Sequence, residues 1–225
     1  MKKTLLALAA VMVAVSCTCS YKVGKEVVWC KGPVLLQNID LDEFDRIVVN
    51  GAADLKYAQD PEIWGVQVEA NEEVFDYLNF RVEDRTLILE MVDSVQVMAE
   101  DFDIYTGSAV LKSLTINGTA DVIIVAVDQK DNLDITVNGA GDMELQKIRV
   151  PVLSCNVNGA ADIEATGLDA GHIDLSLNGA GDVSLSGKAE SAQFTVSGAG
   201  SIDARGLECD KIEKQKNGLA RIRTK

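Results

Sequence analysis

The chain has 225 residues, with 35 acidic side chains against 21 basic ones, a formal net charge of −14 and a single histidine. That balance argues against nucleic acid or an anionic membrane face as a partner. One histidine, with no cysteine pair at ligand spacing, argues against a zinc site or a Ser-His-Asp triad.

Met1-Lys2-Lys3 is a basic start, and Leu5 to Val15 is an apolar run of signal-peptide length, too short to cross a bilayer as a helix. Ala14-Val15-Ser16-Cys17 then resembles a bacterial lipobox, with small Ser16 before Cys17. Residues 1–16 are therefore expected to be a lipoprotein signal peptide, and the mature chain to begin at a lipidated Cys17 that anchors it in the cell envelope. An ordinary secretory signal cut nearby is the alternative. Loss of Lys2 and Lys3 removes two positive charges, so −14 becomes −16. Thr18 to Lys22 carry no acidic cluster of the kind associated with surface export, which tilts the anchor toward the periplasmic face over the outer surface.

Residues 17–39 read as a tether and lead-in, with short apolar runs at Val27-Val28-Trp29 and Val34-Leu35-Leu36 around Gly32-Pro33. Residues 40–225 read as one domain. Its organising feature is a five-residue corner that recurs as NGAAD at Asn50, NGTAD at Asn117, NGAGD at Asn138, NGAAD at Asn158, NGAGD at Asn178, SGAGS at Ser197 and NGLAR at Asn217. From Asn117 onward the steps are 21, 20, 20, 19 and 20 residues. A fixed period near 20 marks one supersecondary unit being stacked.

The flanks of each corner alternate. One residue before it stand Val49, Ile116, Val137, Val157, Leu177 and Val196; three before stand Ile47, Leu114, Ile135, Cys155, Leu175 and Phe194. Five after the corner's first residue stand Leu55, Val122, Met143, Ile163, Val183, Ile202 and Ile222. Seven after stand Tyr57, Ile124, Leu145, Ala165, Leu185 and Ala204. Spacing of two means strands with one buried face. Coils of about 20 residues bury such faces by stacking, so the expected fold is all-β, a right-handed parallel β-helix or β-solenoid. Its coils are expected to be irregular over 50–116 and regular over 117–222. Asn117, Gly118, Asn138, Gly139, Asn158, Gly159, Asn178 and Gly179 are its structural corners, the glycines nesting and the Asn side chains bonding along the stack.

Between Asn50 and Asn117 no corner intervenes. Val66-Gln67-Val68-Glu69 and Thr86 to Glu90 alternate as strands, Val95 to Thr106 is a further strand pair, and Asn71 to Leu78 has an Asn cap, early acids and helical spacing. A small N-terminal sandwich is the alternative for this region. The last corner is degraded: Lys214 and Lys216 occupy columns that are apolar elsewhere, as a polar end to the stack requires.

The corners, the period and the lead-in Phe44-Asp45-Arg46-Ile47-Val48-Val49-Asn50-Gly51 resemble the autotransporter adhesin, head GIN domain family. Glu69 to Glu73 followed by Thr86 to Leu89 resembles that family's first half. The resemblance covers roughly residues 40–222. It implies a right-handed parallel β-helix in exported proteins and lipoproteins of Bacteroidota, and it brings no catalytic residues.

The candidate sites are few. Asp54, Asp121, Asp142, Asp162 and Asp182 fall in one column, broken by Ser201. Adjacent carboxylates at strand spacing repel by about 1 kcal/mol at water-like dielectric. Ca²⁺ between them would offset that; local backbone N–H donors would also do so. The second reading is preferred, because the nine-residue calcium repeat is absent, and no cofactor is expected. His172 is expected on a solvent-facing connection, Cys155 in the core, and Cys19–Cys30 or Cys30–Cys209 as pairs open to an oxidising compartment. NGAGD is no phosphate loop, since no Lys-Ser/Thr follows it. The function expected is a lipid-anchored binding, adhesion or scaffolding module of the cell envelope, with a glycan or protein ligand. A polysaccharide-active enzyme and a ligand-free structural element are the alternatives.

Overall fold

The structure, a computed structural model, describes residues 25–60 and 65–225. The lipobox, Cys19 and Trp64 lie outside the described residues. Among the described residues twelve strands follow in chain order: β1 Glu26–Cys30, β2 Val34–Ile39, β3 Arg46–Ala58, β4 Val66–Asn71, β5 Arg81–Glu83, β6 Thr86–Glu90, β7 Val95–Ala99, β8 Phe102–Gly107, β9 Ser113–Asp128, β10 Leu133–Glu208, β11 Lys211–Gly218 and β12 Arg221–Thr224. A 3₁₀ helix, Glu72–Tyr77, separates β4 from β5.

Where corners recur, strands stack parallel and in register. Asn50 pairs with Asn117 across β3 and β9, and Asn117 with Asn138 across β9 and β10. Gly198 of β10 pairs with Gly218 of β11. Every residue of the four apolar columns is buried. Period-two alternation therefore placed the core correctly, at about 25 cal/mol for each Å² of apolar surface removed from water.

The expected right-handed parallel β-helix is overturned. The main sheet runs β11-β10-β9-β3-β8-β4-β2, is open, and does not close on itself. It is also mixed: β2 with β4, β4 with β8, and β5 with β6 are antiparallel. β1 and β7 form a separate two-stranded parallel sheet. The physical reason lies in the 67 residues without a corner. Lacking stacked glycines to hold a parallel path, the chain there reverses. Asp84 and Arg85, with φ of 47° and 60°, make a two-residue turn between β5 and β6. Paired positive φ values match the twist that a tight hairpin needs.

Two local expectations change as well. The strands within 95–107 both form but do not pair with each other: β7 joins β1, while β8 lies between β3 and β4. Asn71 precedes the 3₁₀ helix without capping it. Its side chain is buried and tied elsewhere, donating to Gly32 O at 3.0 Å and accepting from the N–H groups of Glu100 and Asp101 at 3.0 and 3.1 Å.

Candidate functional site

The corners build one edge of the molecule from their side chains upward. Asn117 Nδ2 donates to Asn50 Oδ1, Asn138 to Asn117, Asn158 to Asn138, each at 3.0 Å, and Asn178 to Asn158 at 3.2 Å. The ladder begins at Glu90, whose Oε2 accepts from Asn50 Nδ2 at 3.1 Å. The glycine that follows each Asn is forced. Gly139 has φ of +152°, and a Cβ there would collide with the carbonyl oxygen of Gly118 below it.

The aspartate column lies three residues beyond the glycines, and it is not uniform. Asp142 N donates to Asp121 Oδ1 at 3.0 Å, and Asp182 N donates to Asp162 Oδ1 at 2.7 Å. Both donors sit in NGAGD corners stacked on NGTAD or NGAAD corners. The glycine before each donor, Gly141 or Gly181, has φ near +140° (140° and 142°). That backbone angle turns the next N–H toward the carboxylate below. Ser201 Oγ then donates to Asp182 Oδ1 at 2.7 Å. Alternation of Ala and Gly at the corner's fourth position was the available sequence signal for this arrangement. Hydrogen bonds from backbone N–H groups offset the repulsion that a bare column would suffer. Among the described residues no three acidic, cysteine or histidine side chains are grouped to hold a metal ion.

Asp54, at the start of the column, differs. Burial first, then the Asp121 and Asp103 carboxylates, push its pKa up, against the pull of Lys56. Lys56 is bound to Asp103 at 3.0 Å and lies 4.8 Å from the ring centre of Tyr105.

Beside the corners runs an acidic groove of about 520 Å³, lined by Asp121, Asp142, Glu144, Asp162, Glu164 and Asp182 with Ile123 and Ser184. Further along the same strands the charges alternate instead. Arg149 reaches Asp128 at 3.2 Å and Asp169 at 2.9 Å, a self-neutralising column. In the groove, by contrast, carboxylates of like charge stand side by side.

Three features escaped sequence reasoning. Asp45, 3% exposed, joins three elements: its carboxylate takes Lys112 Nζ at 2.9 Å and Arg85 Nε at 3.2 Å, and its carbonyl takes Lys112 N–H at 2.7 Å. Asp45 Oδ1 sits 3.2 Å from Arg46 Nη1 without hydrogen-bond alignment. Burial raises its pKa, but the Lys112 and Arg85 hydrogen bonds and the Arg46 charge outweigh that and hold the carboxyl below its usual value. Tyr57 Oη is buried against Ser108 Oγ at 2.9 Å. The half-buried Asp203 is held down to about 2 by the guanidinium and backbone N–H of Arg205.

His172 is half-buried, with Nδ1 2.8 Å from Ser191 Oγ on the neighbouring strand turn. Cys30, Cys155 and Cys209 are free thiols, so no Cys30–Cys209 bridge forms. Cys155 is in the core as expected, and burial pushes its thiol up to about 12.

Comparison with known proteins places the chain in a class. The family profile described as "Putative auto-transporter adhesin, head GIN domain" matches residues 43–168 and 146–225. The chain belongs to that family. Among solved structures, one from Parabacteroides distasonis titled a putative adhesin has a TM-score of 0.78 at 24% identity, covering 88% of this chain and 85% of its own. Another putative adhesin, from Bacteroides fragilis, has a TM-score of 0.67 at 21% identity, covering 88% of this chain and 100% of its own. A third, titled a putative lipid binding protein from Parabacteroides distasonis, gives 0.51 at 20% identity, covering 88% and 100%. These likenesses show the fold. No curated protein matches.

Proposed function

We propose that this chain is a non-catalytic adhesion module of the bacterial cell envelope, held to the membrane through a lipidated Cys17 and engaging its partner along the acidic groove. The groove is the observation that carries the reading. Stacked parallel strands repeat outward carboxylates at strand spacing, about 4.8 Å. A partner meeting the carboxylates of one strand meets those of the next beside them, so weak contacts add as in multivalent binding. The lining calls for a cationic surface: a basic protein face or an amine-bearing glycan. Membership of an adhesin family and the adhesin titles of its structural neighbours support the envelope setting.

Binding to immobilised glycans and basic proteins tests it. Wild type is expected to bind in a salt-sensitive way, and a variant carrying Asp142→Asn, Glu144→Gln and Glu164→Gln to lose roughly tenfold or more, as screened charge contacts should. Equal binding by the two proteins would sink the groove as the ligand face. Release of hydrolysis products from a bound glycan would overturn the non-catalytic reading. Ca²⁺ in the column remains a separate proposal: equal melting temperatures in excess Ca²⁺ and in excess EDTA would end it.

A further inference from the structure

Seven large apolar side chains are exposed in the described chain, and six of them, Val27, Trp29, Val34, Leu35, Leu36 and Met98, lie on β1, β2 and β7. The seventh, Leu219, belongs to the last corner. On β1, Val28 and Cys30 turn inward while Val27 and Trp29 turn out. Trp29 stands in register with Met98 of β7, which extends the outward surface across the two-stranded sheet. Lys31, Gly32 and Pro33 carry the chain into β2, which is exposed through five of its six residues and holds no charged side chain. Asn71 and Glu73 clamp this junction, Asn71 through Gly32 O and Glu73 through Gly32 N–H at 3.0 Å.

An uncharged, apolar edge strand is unusual unless something covers it. The opposite edge of the same sheet, β11, is guarded by Lys211, Lys214 and Lys216. The two ends therefore face different surroundings. The position of the patch along the chain says which. Only seven residues lie between Cys17 and Lys25, eight Cα steps, and Glu26 opens β1. Fully extended, that stretch spans at most about 28 Å.

We infer that the outward faces of β1, β2 and β7 form an apolar foot that rests on the lipid bilayer to which Cys17 is attached. This rests on the lipid-anchored reading above. A diacylglyceryl group on Cys17 would hold the chain at the bilayer, and an apolar contact beside it would fix how the domain sits there. Tryptophan suits the boundary between headgroups and acyl chains. The contact is apolar rather than electrostatic, because a chain beginning at Cys17, at −16 once Lys2 and Lys3 are subtracted from the full −14, is repelled by anionic lipid. The foot also leaves the corner edge and its groove free for a partner.

The test is tryptophan quenching in phosphatidylcholine vesicles that contain brominated acyl chains, using the full acylated protein. Brominated lipid is expected to cut the emission of wild type roughly twofold, and Trp29→Phe to remove that lipid-dependent component. If wild type floats with the vesicles but its emission is unquenched, the foot is refuted and the anchor stands. If mass analysis shows Cys17 unacylated, the anchor reading falls. The foot is then judged on the unacylated chain: Trp29-dependent quenching sustains it, and no quenching refutes it. In the chain without its acyl anchor, Leu36→Glu, at a position 59% exposed, is expected to fold normally and to weaken vesicle partition about tenfold. A solution dimer that Leu36→Glu converts to monomer, with no quenching of Trp29, would assign the patch to a second copy of this chain and overturn the proposal.

Discussion

Asp45 and Asp54 show how the same side chain acquires opposite roles nine positions apart. Asp45 is depressed by Lys112, Arg85 and Arg46 once its burial is outweighed, so its ionised form stabilises the fold. That contribution is fully present above the ordinary value of 3.8 and is lost as pH falls through the lower folded value. Asp45→Asn is expected to cost about 2 kcal/mol at pH 7. Urea denaturation at successive pH values should show the deficit vanishing in acid. Asp54 is raised by burial and by Asp121 and Asp103, so its ionisation opposes folding above its folded value and not below 3.8. Asp54→Asn should therefore stabilise at pH 7, and the gain should disappear in acid. Gly139 presents the steric counterpart, since its φ of +152° and the Gly118 carbonyl leave no room for a methyl group. Gly139→Ala is expected to cost about 3 kcal/mol or more, read as a shift in the urea midpoint. A neutral result would mean that the corners are not nested.

At the scale of elements, each strand is held by side chains above and below it as well as by the ladder. The Asn column adds one hydrogen bond per step in solvent, so Asn138→Ala, which removes two, should cost only about 1 kcal/mol. Phe194, fully buried in its column, should cost about 4 kcal/mol as Phe194→Ala, the value of a lost aromatic plus the cavity left behind. Calorimetry on the two variants checks the ranking, which inverts if the exposed ladder rather than the apolar interior holds the strands. The terminal strand β11 is nearly all exposed. Replacing Lys214 and Lys216 by Val would restore the apolar pattern and present a flat, pairable edge. Sedimentation should then show concentration-dependent self-association that wild type lacks.

For the whole molecule, the four apolar columns, the Asn ladder and the polar last strand were legible, because each is written as a side chain recurring at a fixed interval. One buried face at period two admits few packings, and a glycine that repeats every 20 residues admits few neighbours. The path of residues 59–112 was not legible. Alternating residues there specify strands but not their partners, and β4 could as well have stacked parallel as paired backwards with β2 and β8. Asp45 and Asn71 were hidden for a related reason: their partners are 40 and 67 residues away for Asp45, and 29 to 39 away for Asn71. No local pattern records such distances. What the sequence by itself determined is the inward face of every repeated strand and the corners that nest them, since both follow from local sterics and periodicity. What only the tertiary structure decided is the mixed, open sheet, the pairing of carboxylates with the N–H groups of the corner stacked next to them, and the gathering of exposed apolar residues on β1, β2 and β7, since these depend on which strands meet.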